Sequence, residues 1–189
     1  MPRTIVIEGI DGAGKTTVAR KLYELLSNQN LKVILTSEPF TQEIIDLINK
    51  VQWKDPVALA LLFSADRALH ISWLKNQVYD IVIMDRYFYS TIAYQGAMGV
   101  DIKWLKCVNS IFPNPDIIFL LDIDPKIALG RIKENDIFNY KEKLSSLYKV
   151  RKIYLELAKE FKMHVIDASK PLDEVIKTIF EIVRKNILS

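Results

Sequence analysis

Gly9-Ile10-Asp11-Gly12-Ala13-Gly14-Lys15-Thr16 carries glycine, lysine and threonine at the spacing G-x-x-x-x-G-K-S/T, and each fixed position has a chemical job. Gly9, Gly12 and Gly14 permit torsions and close approaches that a side chain would block. Successive N–H groups can then turn inward and form a nest for phosphate oxygens. Lys15 would reach the β- and γ-phosphates, and Thr16 would offer its hydroxyl to Mg²⁺. The following helix adds the partial positive charge of its N-terminus. Upstream, Thr4-Ile5-Val6-Ile7 is a β-branched run that reads as a buried parallel strand. Downstream, Val18, Leu22, Leu25 and Leu26 fall at helical spacing, with Arg20, Lys21 and Glu24 between them. Strand, glycine loop and amphipathic helix together predict a nucleoside triphosphate site. Three of the six glycines lie in this one loop, so it is not background glycine.

Outward from the loop, 189 residues suit one domain with a proper core, spanning 1–189. A net charge of +3 suits an anionic small molecule and does not call for nucleic acid. Cys107 is alone, which excludes an intramolecular disulfide and a cysteine-based zinc site and fits a reducing compartment. No leader is expected ahead of the first strand, and no apolar run is read as a bilayer span, so the expected location is cytoplasmic. Richness in Ile, Lys and Glu with five Gln hints at a hot habitat.

Further strands are predicted at 32–36, 81–84, 117–122 and 163–167. Helices are predicted from Thr41 as N-cap, over 56–79, to about Gly96, over 102–111, from Pro125 to about Lys133, over 144–161 and over 171–187. Strands alternating with helices mean a parallel sheet covered on both faces, an α/β fold. Residues 134–143 are polar and carry the weakest periodicity in the chain.

The third strand ends in Asp85-Arg86, an acid followed by a base. Guanine-reading GTPases carry N-K-x-D, which Asn49-Lys50-Val51-Gln52 does not match. A water nucleophile needs no arginine, but a phosphorylated acceptor does, because two anions must be brought together. The pattern points to a kinase whose acceptor is itself a phosphate.

Over nearly its whole length the chain resembles the thymidylate kinases, which transfer the γ-phosphate of ATP to dTMP. The residues that carry the resemblance are Glu8 through Thr17, Glu38-Pro39, Phe63-Ser64-Ala65-Asp66-Arg67, Asp85-Arg86-Tyr87, Ala93-Tyr94-Gln95-Gly96, Phe119 through Pro125, and Tyr154 through Ala158. The resemblance implies a P-loop NTPase three-layer sandwich with a five-stranded parallel sheet in the order 2-3-1-4-5. The family member it resembles is an archaeal or thermophilic one.

It also implies roles. Gly9, Ile10, Asp11, Gly12, Ala13, Gly14, Lys15, Thr16 and Thr17 would bind ATP, with Arg131 stacking on adenine or touching phosphate. Phe63 would stack on thymine and Arg67 would donate to its O4; four apart on a helix, they share one face. Core packing for Phe63 and a salt bridge to a nearby carboxylate for Arg67 are the plainer alternatives. Arg86 would clamp the acceptor phosphate beyond the strand ends, with Asp11 positioning that phosphate or the metal. Thr91, Tyr94 and Gln95 would line the nucleoside pocket, and Glu38, Pro39 and Phe40 would border it. Tyr94 is otherwise an ordinary core residue. Mg²⁺ would be held by Thr16, with Asp85 either reaching the metal through water or only orienting Lys15 or Thr16. Lys15, Arg86, Asp11 and Arg131 are thus the candidate catalytic residues, acting by alignment and charge neutralisation, since the acceptor is already an oxyanion. The stretch 134–143 would be a short lid over the ATP phosphates, with Lys133, Lys141 and Lys143 as further cations. Solvated surface charge is the plainer reading of these lysines.

Some relatives carry arginine in the phosphate loop where this chain has Gly12, and an arginine where it has Ser37. Besides dTMP, another deoxynucleoside monophosphate such as dUMP is an open acceptor, and a non-catalytic nucleotide-binding module is the alternative from another class. The family implies a homodimer through helices that include the apolar one from Pro56, with no nucleic-acid or membrane partner.

Overall fold

A computed structural model describes residues 2–50, 54–132 and 140–188. Its central strand is β1 (Arg3–Gly9), where the consecutive residues Ile5, Val6 and Ile7 are all buried. Because neighbouring side chains on a strand point to opposite faces, burial of all three requires cover on both sides. β1 lies between β3 (Ile81–Asp85) and β4 (Ile117–Asp122), with β2 (Val33–Ser37) and β5 (His164–Asp167) at the edges. All pairs are parallel and the order is β2-β3-β1-β4-β5, as the family resemblance implied. Ile7 pairs with Asp85 and Gly9 with Leu121, so the carboxyl ends of β1, β3 and β4 open onto one rim.

The cover has two parts. α1 (Lys15–Ser27) packs on β1, β2 and β3 beside α8 (Leu172–Val183). α4 (Phe88–Ala97) packs against β1, α3 (Pro56–Lys75), α5 (Ile102–Asn109) and α7 (Tyr140–Glu160). α2 (Gln42–Lys50) leans on α3, and α6 (Pro125–Arg131) on α7. Asp55, Asp101 and Asp124 cap α3, α5 and α6 with carboxylate-to-backbone bonds, and Pro56 and Pro125 fill first-turn positions that need no N–H.

Several boundaries differ from the sequence reading. α3 stops at Lys75 instead of Tyr79, because Asn76 turns its N–H and side-chain amide back onto Trp73 and Ser72. α7 starts at Tyr140, four residues earlier than expected, so the backbone of 140–143 is helical. Regular helix ends at Val183, and Arg184–Leu188 widen into a π-helical turn. Thr41 precedes α2 as expected, yet its hydroxyl makes no cap bond.

α3 is also long and apolar enough to cross a membrane by length and composition, which the sequence reading had not credited. Its centre, however, holds Asp66, Arg67 and His70, all buried and hydrogen-bonded inside the fold. Asp66 accepts the backbone N–H groups of Phe40 and Thr41 at 2.7 Å each and so pins the chain that leaves β2. Asp66→Asn turns one of those acceptors into a donor facing a donor. It is expected to cost about 2 kcal/mol, a drop in Tm of roughly 4–8 °C by calorimetry.

Candidate active site

The phosphate loop leaves β1 through Gly9, where a Cβ would lie 2.7 Å from the Leu121 carbonyl oxygen on β4. Gly12, at φ +81°, is tighter still: its Cβ would lie 2.2 Å from the carbonyl oxygen of Ala128 on α6. Only glycine fits either position. Gly14 then hands over to α1, so Lys15 and Thr16 start the helix beside a hollow of about 310 Å³. Lys15 is nearly enclosed and gives its ammonium to the Ile10 carbonyl at 2.9 Å. Burial, with the neighbouring Arg86 charge adding to it, lowers its pKa to about 8.

Asp85 and Arg86 reach the same hollow from the end of β3. The Thr16 hydroxyl donates to Asp85 Oδ2 at 2.5 Å, while Asp85 Oδ1 is buried with no partner among the described residues. A hydroxyl and a carboxylate with one vacant oxygen are hard donors that suit Mg²⁺. Among the described residues no three His, Cys, Asp or Glu gather as a metal cage.

Arg86 adopts φ +74° as the strand ends, and its N–H returns to the Ile7 carbonyl at 3.0 Å. Its guanidinium pairs with Asp11 through Nη2, bonds the Ser90 hydroxyl through Nη1 at 3.2 Å, and lies 5.4 Å from the Tyr94 ring centre. Tyr94 accepts the Asp11 N–H at 2.9 Å. Burial would raise the Asp11 carboxyl, but Arg86 and Lys15 outweigh it and hold it below its ordinary value.

On the far side of Arg86 and Asp11 opens a second cavity, about 220 Å³. Phe63, Tyr87, Tyr94 and Met98 give it apolar walls, and Glu38, Pro39, Arg67, Ser90, Thr91 and Gln95 complete it. Arg67 is buried between the rings of Tyr87 and Phe112, with its charge 5.5 and 5.4 Å from their centres. Glu38 takes its Nε at 2.9 Å and Nη2 at 2.7 Å, Asn109 takes Nη1 at 2.6 Å, and Thr91 takes Nη2 at 3.2 Å. The carboxylate partner weighed as the plainer reading of Arg67 is therefore present, and the same side chain still faces the cavity. Gln95 Oε1 is buried without a partner among the described residues, an acceptor in want of a donor. Phe40 is not among the lining residues. It stacks on His70 at 4.5 Å and tilts against Trp73 at 5.0 Å.

A third hollow, about 370 Å³, lies on the outer side of the loop, where Gly12, Thr17 and Val18 face Arg131, Lys170, Leu172 and Val175. Arg131 donates to the Ala168 carbonyl at 3.2 Å and borders this hollow instead of the Arg86 pair. The expected lid at 134–143 falls largely outside the described residues, as do Lys133 and the side chains of Lys141 and Lys143.

Five polar residues that hold this geometry carried no role in the sequence reading: Glu8, Asp66, His70, Ser90 and Asn109. Glu8 is wholly buried, and burial raises its carboxyl despite hydrogen bonds from Ser90 and Tyr154. Its signal was an acid placed directly after a β-branched run. Asp66 and His70 flank Arg67 on α3, while Asn109 gave no local signal at all.

A parallel sheet in the order 2-3-1-4-5, with a glycine loop running from β1 into α1, defines a P-loop nucleotide-binding protein, and in this one Asp11 and Arg86 line both the loop hollow and the apolar cavity. A family model described as thymidylate kinase matches residues 7–179. The "Probable thymidylate kinase" of Sulfurisphaera tokodaii is 55% identical, covering 97% of this chain and 96% of the relative. The "Probable thymidylate kinase 1" of Saccharolobus solfataricus is 53% identical, covering 99% and 100%. A crystal structure of thymidylate kinase from Ehrlichia chaffeensis superposes with a TM-score of 0.78 at 31% identity, covering 97% of this chain and 98% of that one. The chain belongs to the thymidylate kinase family.

A lysine is charged below its pKa, so in the ATP-free enzyme Lys15 loses its charge as pH rises through about 8. If the Lys15 ammonium meets the ATP phosphates, the kcat/KM for ATP is expected to fall roughly tenfold per unit above that pH, while kcat at saturating ATP holds further because bound phosphates would favour the ammonium. A kcat/KM profile that stays flat well beyond that pH would contradict this role.

Proposed function

We propose that this protein is an ATP-dependent dTMP kinase acting as one domain, and that dTMP and ATP meet end to end at Arg86 and Asp11. The observation that carries this reading is that those two residues line both the phosphate-loop hollow and the apolar cavity. A nucleotide seated in each would bring its terminal phosphate to the same guanidinium.

On the acceptor side, Phe63 stacks on the base, and Arg67 and Thr91 face its O4. Arg67 already donates to the Thr91 oxygen, which leaves the Thr91 proton for a base carbonyl. Gln95 Oε1 accepts from the ring N3–H, which is present in thymine and absent in cytosine. Glu38 and Pro39 close the edge. Phe40 supports the wall through His70, whose ring also meets Glu38 Oε1 at 3.3 Å.

On the donor side, loop N–H groups from Gly9 to Thr17 hold the phosphates, and the nucleoside lies in the hollow bounded by Arg131, Val18 and Leu172. Lys15 exchanges the Ile10 carbonyl for the terminal phosphates. Thr16 and Asp85 would hold Mg²⁺, which when bound neutralises charge between those phosphates. Arg86 offsets the repulsion between the two anions. The incoming phosphate is already an oxyanion, so no residue needs to remove a proton, and alignment does the work.

Two further readings go with this one. Exposed Val57, Leu61, Leu69 and Trp73 recur along one side of α3, which supports a homodimer built on that helix. A single cysteine, Cys107, fits a cytoplasmic location.

The test is phosphorylation of dTMP, dUMP, dCMP, dGMP, AMP and thymidine, followed by ADP release with Mg²⁺. dTMP is expected to react fastest, and a preference for another acceptor would sink the assignment. Lys15→Ala should abolish transfer while dTMP still binds. Arg86→Ala should weaken dTMP about 100-fold or more with thymidine nearly unaffected, both read by calorimetry. Equal losses for the two ligands would remove the phosphate role of Arg86.

A further inference from the structure

Glu8 stands at the end of β1, away from the cavity walls, and works through its neighbours. Its Oε1 accepts the N–H groups of Tyr87 at 2.8 Å and Ser90 at 3.3 Å. This closes the first turn of α4, where Tyr87, at the N-cap, supplies no side-chain cap bond of its own. Its Oε2 accepts from the Ser90 hydroxyl at 2.7 Å and from the Tyr154 hydroxyl of α7 at 2.8 Å. The two hydroxyl oxygens are themselves 2.8 Å apart. Three elements far apart in sequence thus converge on one serine.

That serine touches the arginine shared by the two cavities. Ser90 Oγ accepts from Arg86 Nη1 at 3.2 Å. A hydroxyl has one proton and two lone pairs. With the proton committed to Glu8, a lone pair is left facing Arg86; freed from Glu8, the hydroxyl could rotate and aim its proton at the guanidinium. The opposite side of the guanidinium is held by Asp11, whose side chain is 44% exposed. Asp11 therefore faces the space an incoming phosphate would fill, whereas Glu8 and Tyr154 are wholly buried behind Ser90.

We propose that Ser90, keyed by Glu8 and Tyr154, is a positioning residue that fixes the direction of the Arg86 guanidinium, so that the clamp keeps its aim when Asp11 changes partner. This rests on the reading of Arg86 as the grip on the acceptor phosphate. The supporting contact is a hydrogen bond to a charged group in a largely buried setting, which is stronger than a neutral one.

The experiment compares dTMP with thymidine by titration calorimetry, without ATP, in the wild type, Arg86→Ala, Ser90→Ala, Ser90→Thr and Tyr154→Phe. Ser90→Ala is expected to weaken dTMP about tenfold and leave thymidine unchanged. Ser90→Thr, which keeps the hydroxyl, should recover most of the loss. Tyr154→Phe should show a smaller loss of the same phosphate-selective kind. Equal weakening of both ligands by Ser90→Ala, or unaltered dTMP binding, overturns the proposal. Because Ser90 also lines the acceptor cavity, Tyr154→Phe separates the aim of Arg86 from a direct contact between Ser90 and the phosphate, and no phosphate-selective loss there overturns the proposal, whether or not Ser90→Ala folds. If Arg86→Ala itself leaves the ratio of the two affinities unchanged, the clamp reading fails and takes this inference with it. A selective Arg86→Ala beside a non-selective Ser90→Ala removes the positioning role alone.

Discussion

The Arg86–Asp11 ion pair forms the wall between two cavities, and most of the molecule serves to hold it there. Asp11 comes from the loop after β1 and Arg86 from the turn after β3, and they meet because Ile7 and Asp85 are partners in the sheet. A one-residue slip of that register would turn the strand faces over and carry Arg86 away from the loop. The buried run Ile5-Val6-Ile7 resists such a slip, since it needs apolar cover on both faces. Core packing and charge placement are in this sense one constraint.

Concentrating cations beside a phosphate site creates an electrostatic problem that the fold answers with nearby carboxylates. Lys15 and Arg86 oppose each other's charge, while Asp11, Asp85 and Glu8 favour the Lys15 ammonium. Burial, with Arg86 adding to it, outweighs those carboxylates and leaves Lys15 only weakly basic for a lysine. Arg67 shows the opposite solution. It is buried and held by Glu38, Asn109 and Thr91, so its direction is fixed before anything binds. One cation is left hungry and the other is made rigid.

The fold was legible in the sequence because its signals are local: β-branched runs, helical spacing and a glycine loop with one geometric solution. Asp85-Arg86 was legible for a similar reason, since the end of a buried strand beside the loop leaves few places to point. Boundaries were less so, as at Asn76, where a cap made by a residue of modest propensity shortened α3. The cavity walls at Phe63, Arg67, Thr91, Tyr94 and Gln95 came from resemblance, and helix periodicity alone would have filed them as core. What stayed hidden were contacts between distant segments. Phe40 turns onto His70, Asn109 reaches back to Arg67, and Glu8 joins β1 to α4 and α7. No spacing rule connects position 8 with position 154.

Gly12 has its α-carbon pressed toward the Ala128 carbonyl, with no room for even a methyl group. Where some relatives use an arginine at that point of the loop, this backbone would first have to withdraw α6 or reshape its first turns. Replacing the glycine alone would therefore trade a charge gained for a displaced helix, and the helix in question ends in Arg131. The residue at this one place and the seating of α6 are thus coupled in this chain, so a graft that changes only one of them inherits a misfit.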